Sequence, residues 1–246
     1  MKVSYKITAV RDREQYVERL VSRMSDPEVF WDEERRGCIW NTQRAWKSYA
    51  ELPQDVTHLC VMSDDTDIVN GFEDLVLTCV ENFPDVIWTF FSNQLEMKHR
   101  PKTTPYIILD SYNVRGIAWL MPVSWVQGYI DLYEQMLKPI GYKRDDVAAR
   151  IYALFNRLPV MTTIPNLVRS EEIASTIRGH KPSRNSDCWQ GYDVDARQFQ
   201  QHYAEHRIVT SKSVIETFLP KDNPVDVMVK REYARQMKLI KGLQQK

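Results

Sequence analysis

Residues 57–67 read THLCVM-SDDTD, a short apolar run that halts abruptly at Ser63, Asp64, Asp65, Thr66 and Asp67. A run of this length, cut off by polar residues, predicts a buried strand with a carboxylate-bearing turn at its carboxyl end. The chain on either side repeats the same strand-then-helix rhythm. Upstream, residues 3–10 (VSYKITAV) predict an opening strand. Residues 12–24 place Tyr16, Leu20 and Met24 at i, i+4 and i+8, the stripe of an amphipathic helix. A second strand is expected at 28–31, and a helix from Asn41 to Leu52 sets Ala45, Trp46 and Tyr49 on one side before Pro53 ends it. Downstream, Phe72 to Phe83 predicts a helix closed by Pro84, and Val86 to Phe91 another strand. This alternation predicts an α/β fold with a mostly parallel sheet flanked by helices.

The second half is less regular. Strands are expected at 106–109, 118–122 and 159–163, and helices at 126–137 and 145–156. Residues 180–195 have loop composition, and 225–246 form a basic, helix-like tail. The 246 residues suit one large or two small domains, and 11% aromatic content with seven Trp argues against disorder. No apolar run approaches the roughly 18 residues that would span a bilayer. The opening MKVSYKITAV lacks a secretory cleavage pattern, so a cytoplasmic protein is expected. Cys38, Cys60, Cys79 and Cys188 are widely spaced with no C-x-x-C pair, which argues against structural zinc on cysteine alone. Basic and acidic residues balance at 33 each, so a nucleic-acid partner would need a confined basic face.

Three patterns carry candidate chemistry. The carboxylates after THLCVM sit where open α/β sheets bind ligands, beyond the carboxyl ends of strands. Two or three carboxylates on a tight turn make a hard-oxygen site suited to Mg²⁺ or Mn²⁺ beside a diphosphate. A solvated turn with an Asp capping the next helix is the plain alternative. Asp145 and Asp146 open the helix of GYKRDDVAARIYALF, where capping and the helix dipole favour carboxylates whether or not they react. His202-Tyr203-Ala204-Glu205-His206 has the H-x-x-E-H spacing of one zinc-hydrolase class, but no third ligand is evident. G-x-G-x-x-G, G-x-x-x-x-G-K-[ST] and G-x-S-x-G are all absent, so dinucleotide enzymes, P-loop NTPases and serine hydrolases with a nucleophile elbow are disfavoured.

The order ITAVRDR, GCIWNTQRAW, THLCVMSDD, GIAWLMPVSWV, KRDD and VMTTIPNLV resembles nucleotide-sugar-dependent glycosyltransferases of the GT-A fold, particularly the small ones encoded by bacteriophages. The resemblance covers residues 3–185 and implies a GT-A-like α/β domain over 1–185, with a C-terminal loop and helical extension over 186–246 packed on it. SDD looks like the family's variable DXD-type motif, with Ser63 where many members carry Asp. The resemblance implies that Asp65 binds the metal on the sugar-nucleotide diphosphate, with Asp64 near the ribose or the metal. An Asp65/Asp67 pairing remains the alternative to Asp64/Asp65. Val10, Arg11 and Arg13 would line the base and phosphate pocket, and Asp32, Asn41 and Arg44 would approach the nucleotide-sugar. Asp146, together with Asp145, matches the acceptor-activating carboxylate of inverting members. Related sequences often carry His shortly after P-x-L-V where this chain has Arg169; His180 is a weak substitute as third metal ligand.

What the resemblance implies is transfer of a sugar, using Mn²⁺ or Mg²⁺, from a nucleotide-diphosphate sugar to a hydroxyl. Glycosylation of a 5-hydroxymethylated pyrimidine is a known role of such phage enzymes, so double-stranded DNA is the favoured acceptor. Lys181, Arg184, Trp189 and Tyr192, with Lys230, Arg231, Arg235, Lys238 and Lys241 in the tail, could hold phosphates and a displaced base. A glycan or small-molecule acceptor, a divalent-metal phosphoesterase and a non-catalytic interaction protein are the competing readings.

Overall fold

The computed structural model describes residues 1–91, 107–110, 114, 116–139, 141–156, 158–171, 189, 191–204 and 208–210. Its first strand, β1 (Val3–Ala9), leads through a short 3-10 turn at Arg11–Arg13 into α1 (Glu14–Val21). Then come β2 (Glu28–Trp31), α2 (Cys38–Lys47), β3 (His58–Ser63), β4 (Thr66–Ile68), α3 (Phe72–Asn82) and β5 (Ile87–Thr89). The second half supplies β6 (Ile107–Asp110), β7 (Ala118–Pro122), α4 (Val123–Leu132), α5 (Asp145–Asn156), β8 (Val160–Ile164), β9 (Val168–Ser170), α6 (Ala196–Ala204) and β10 (Ile208–Thr210).

Among the described residues eight strands form one sheet in the order β10-β6-β8-β5-β7-β3-β1-β2. Four of the seven ladders are parallel and three are antiparallel. The apolar run after Pro53 pairs parallel with the opening strand, Val3 opposite His58 and Thr8 opposite Ser63. Strand alternation sends its side chains to two different cores. Leu59 and Val61 face a layer of α2, α4 and α5, while Cys60 and Met62 face α1, α3 and α6. The first layer is knitted by aromatic rings: Trp46 lies 4.3 Å from Trp119 and 5.8 Å from Tyr129, all three fully buried. Helices on both faces of a mostly parallel sheet make this the α/β architecture expected. No helix among the described residues is long and apolar enough to cross a membrane.

Two features depart from the expected elements. Thr66-Asp67-Ile68, read as the tail of an acidic turn, is a strand. It pairs antiparallel with β9 in a separate two-stranded sheet, Asp67 opposite Arg169. The C-terminal region contributes sheet as well as helix: β10 runs parallel to β6 at the sheet edge, and Phe199 of α6 is fully buried in the core beside α3. Residues 211–246, which hold the expected basic tail, lie outside the described residues.

Candidate functional site

Strands β1, β2 and β3 end side by side, so the residues that follow them meet in space. The ladders run on past the strand ends: Asp64 donates its amide to the Thr8 carbonyl at 3.0 Å, and Asp32 donates to Ala9 at 2.8 Å. Val10, Asp32 and the Asp64-Asp65 step therefore share one rim, the position at which open α/β sheets bind ligands.

The three carboxylates of SDDTD differ sharply in their surroundings. Asp64 is buried and turned towards the loop after β1. Its Oδ2 accepts the Val10 amide at 3.0 Å, and its Oδ1 accepts Arg13 Nη1 at 2.6 Å in a buried ion pair. Burial pushes its carboxyl up while the Arg13 guanidinium opposes that shift. Asp67 is also buried, beneath two guanidinium groups and a phenol. Arg23 Nη1 reaches Oδ1 at 2.7 Å, and Arg169 Nε and the Tyr192 hydroxyl reach Oδ2 at 2.9 and 2.6 Å. Asp65 differs from both. It is half-buried, hydrogen-bonded by the Ser63 and Ser170 hydroxyls, and it has no ion pair among the described residues. A backbone bond from the Glu171 amide to its carbonyl at 2.7 Å ties its position to the end of β9.

The remaining residues expected around the nucleotide build the rim. Asp32 is buried and folds the following loop, accepting the amides of Arg36 and Gly37 at 2.9 and 2.8 Å. Asn41 donates to the carbonyls of Phe30 and Ala9, joining α2 to the ends of β1 and β2. Arg44 donates to the Trp31 carbonyl at 3.0 Å and lies 4.7 Å from the Trp40 ring. Arg11 stacks at 4.1 Å over Trp31 while its guanidinium binds Glu33 and Glu14.

Asp145 and Asp146, adjacent in sequence, also have different environments. Asp146 accepts its helix-mate Val147's amide at 2.9 Å and pairs with the exposed Arg144 at 3.2 Å. Asp145 accepts the Asp146 amide at 2.8 Å and the Thr42 hydroxyl of α2 at 3.2 Å, and no cation pairs with it among the described residues. Burial first, then the like charge of Asp146, pushes its carboxyl up to about 6. Gly116 lies beside it, and an added Cβ there would stand 3.4 Å from Oδ1, an ordinary van der Waals contact.

Two residues that the sequence reading did not single out link these groups. Cys38, the first residue of α2, is exposed, and its thiol is pushed up chiefly by the charge of Asp145, with burial and the more distant charges of Asp64 and Asp65 adding to it. The carboxylates at the end of β3 and at the start of α5 thus both act on the charge of this one thiol at the N-terminus of α2, Asp145 the more strongly. Its Sγ lies 3.9 Å from the Thr42 hydroxyl. Cys38 and Thr42 stand at i and i+4, and nothing in a single sequence distinguishes that spacing from any other helix face.

The late segment packs on the Asp67 cluster, where the Tyr192 hydroxyl reaches Asp67. Trp189 and Tyr192 meet edge to face at 5.5 Å, and Arg169 lies within 5.3 Å of both rings. Lys181, Arg184 and His180 lie outside the described residues, as do Glu205 and His206 of the H-x-x-E-H pattern. Among the described residues no three His, Cys, Asp or Glu side chains are grouped to hold a metal ion. The donors that Asp65, Ser63 and Ser170 present are all oxygen. That fits a hard divalent cation of the Mg²⁺ or Mn²⁺ type, which binds through one or two carboxylates with substrate phosphates and water completing its shell.

No protein-family model matches the chain, and no curated protein matches it. Among solved structures it is similar to a crystal structure of GalNAc-T7 with UDP, GalNAc and Mn²⁺, at TM-score 0.44 and 10% identity over 93% of this chain. It spans 58% of the length of that protein. It is also similar to the inositol-1-phosphate CTP transferase from T. maritima, at TM-score 0.35 and 8% identity, covering 82% of this chain and 77% of that one. Both scores fall below 0.5, so a reading of function rests on the geometry of the carboxylates.

Proposed function

We propose that the chain is a metal-dependent glycosyltransferase that moves a sugar from a nucleoside-diphosphate sugar to a hydroxyl acceptor. The observation that carries this reading is the pair of carboxylates without an ion pair among the described residues, Asp65 after β3 and Asp145 at the start of α5, whose charges both act on Cys38. Asp65, assisted by Ser63 and Ser170, would hold Mn²⁺ or Mg²⁺ against the donor diphosphate. Asp64 and Asp67 are less suited to that role because their charges are already met by Arg13, and by Arg23 and Arg169. When bound, the ion neutralises the charge that develops on the departing nucleoside diphosphate.

Val10, Asp32, Asn41 and Arg44, locked by their backbone hydrogen bonds, shape the rim that receives the nucleotide, with Arg11 and Arg13 beside it. Asp145 is the proposed general base. A carboxyl at about 6 is ionised at neutral pH yet more basic than an ordinary carboxylate, which favours removing a hydroxyl proton during attack. Asp146 raises that basicity through its charge while Arg144 and the Val147 amide hold it away from the proton. A single displacement with inversion needs no covalent nucleophile, which accords with this set of groups.

For the acceptor we favour a 5-hydroxymethylated pyrimidine in phage DNA, with Trp189 and the sequence neighbours Lys181 and Arg184 as its contacts. Support comes from the aromatic and guanidinium groups of Trp189, Tyr192 and Arg169 gathered around Asp67. Thermal-shift screening with UDP, GDP, CDP and their sugars, with and without Mn²⁺, tests the donor. Metal-dependent stabilisation by one nucleotide is expected, whereas no response to any of them sinks the transferase reading and leaves a phosphoesterase or a binding protein. Activity on hydroxymethylated duplex should fall steeply with salt while donor hydrolysis barely changes. Equal transfer to a free nucleoside would move the acceptor to a small molecule or glycan.

A further inference from the structure

We infer that Thr42 is a positioning residue for Asp145: its hydroxyl clamps one carboxylate oxygen and so restrains rotation of the side chain. The inference rests on the reading of Asp145 as the base. Thr42 is 2% exposed and sits one turn into α2, whose first residue, Cys38, faces the same carboxylates. A hydroxyl has one proton to donate, and in this case it goes to Asp145 Oδ2 at 3.2 Å. The Cys38 thiol, 3.9 Å from Thr42 Oγ1, then donates to the hydroxyl oxygen, forming a relay from thiol to hydroxyl to carboxylate. The second oxygen, Oδ1, is tied to the Asp146 amide at 2.8 Å. The carboxylate is therefore held from α2 on one side and from its own helix on the other.

The titratable and charged groups facing it are Asp146 and Arg144 at the start of its own helix, Cys38 from α2 and Tyr129 from α4. None of them donates to Oδ2. Removing the Thr42 hydroxyl takes away a hydrogen bond that favours the ionised form, with nothing to replace it.

The test follows the Asp145 carboxyl directly, by ¹³C NMR of Asp-labelled full-length protein titrated with pH, in the parent, Thr42→Val and Thr42→Ser. The valine, nearly isosteric, should raise the midpoint by about one pH unit, and the serine should restore it. If the buried valine does not fold, Thr42→Ala against Thr42→Ser isolates the same hydroxyl, since both lack the methyl. An unchanged midpoint in the folded variant without the hydroxyl overturns the inference. A second arm measures release of nucleoside diphosphate across pH from whichever of the UDP-, GDP- and CDP-sugars stabilises the chain. The acid limb of that profile should move with the carboxyl. A carboxyl that moves while the limb stays fixed leaves the Thr42 clamp standing and removes Asp145 from the base role, so the two failures are told apart.

Discussion

Asp145→Asn should stabilise the folded chain at neutral pH even as it removes the proposed base. In the fold the carboxyl sits at about 6 instead of its ordinary 3.8, because burial and the neighbouring Asp146 both disfavour the charge. Its ionised form is therefore about 3 kcal/mol worse off in the folded chain than in the unfolded one. The sign follows from linkage: the folded state binds the proton more tightly, so stability is lost as pH rises from 3.8 through 6 and the full cost is present above that window. Asparagine keeps an oxygen for the Asp146 amide and an NH₂ that can donate to the Thr42 hydroxyl, and it carries no charge at any pH. Roughly 1 kcal/mol of the cost is already present near pH 4.5, so the gap between variant and parent should widen by about 2 kcal/mol between pH 4.5 and 7.5. Urea unfolding at the two pH values measures it, and comparing variant with parent cancels the other carboxyl groups to first order. A gap that stays constant, or narrows as pH rises, would show that Asp145 titrates as an ordinary surface carboxylate and would refute the burial argument.

Asp67→Asn should lower stability by about 2–3 kcal/mol in the absence of any metal, because Arg23 and Arg169 lose a buried counter-charge but keep some contact with water. A neutral or stabilising effect in urea would mean that Asp67 is not the hub of that cluster. Asp65→Asn should leave the unfolding free energy within about 0.5 kcal/mol of the parent while abolishing Mn²⁺-dependent stabilisation by the donor nucleotide. Retained metal dependence would move the ligand to another carboxylate. Cys38 is exposed but its thiol is held up mainly by Asp145, so iodoacetamide should label it slowly at pH 8 and several-fold faster in Asp145→Asn. Identical labelling rates in the two proteins would show that the charge of Asp145 does not act on Cys38.

THLCVM was legible as a central strand because its constraint is local. A buried strand needs apolar side chains on both faces, and the polar residues after it mark where it must stop. The same logic made Phe72 to Phe83 legible as a helix, since a single stripe and a closing proline lie within one short window. That a ligand site was to be expected beyond Ser63 followed from the parallel pairing of two such strands, which the strand-and-helix alternation implies. The individual fates of the acidic residues were not legible, since each is set by groups distant in sequence. Asp67 became the centre of an ion-pair cluster through Arg169, 102 residues on, and Tyr192, 125 residues on. Asp65, two positions earlier, has hydroxyl partners on its carboxylate and no ion pair among the described residues. Thr42 meets Asp145 across 103 residues, and that contact, with the burial around it, separates Asp145 from an Asp146 of the same type, helix turn and sequence neighbourhood. Side-chain chemistry is written residue by residue, but the charge state and reach of a carboxylate depend on local dielectric, nearby charge and hydrogen-bond donors, and only the packed chain brings those together.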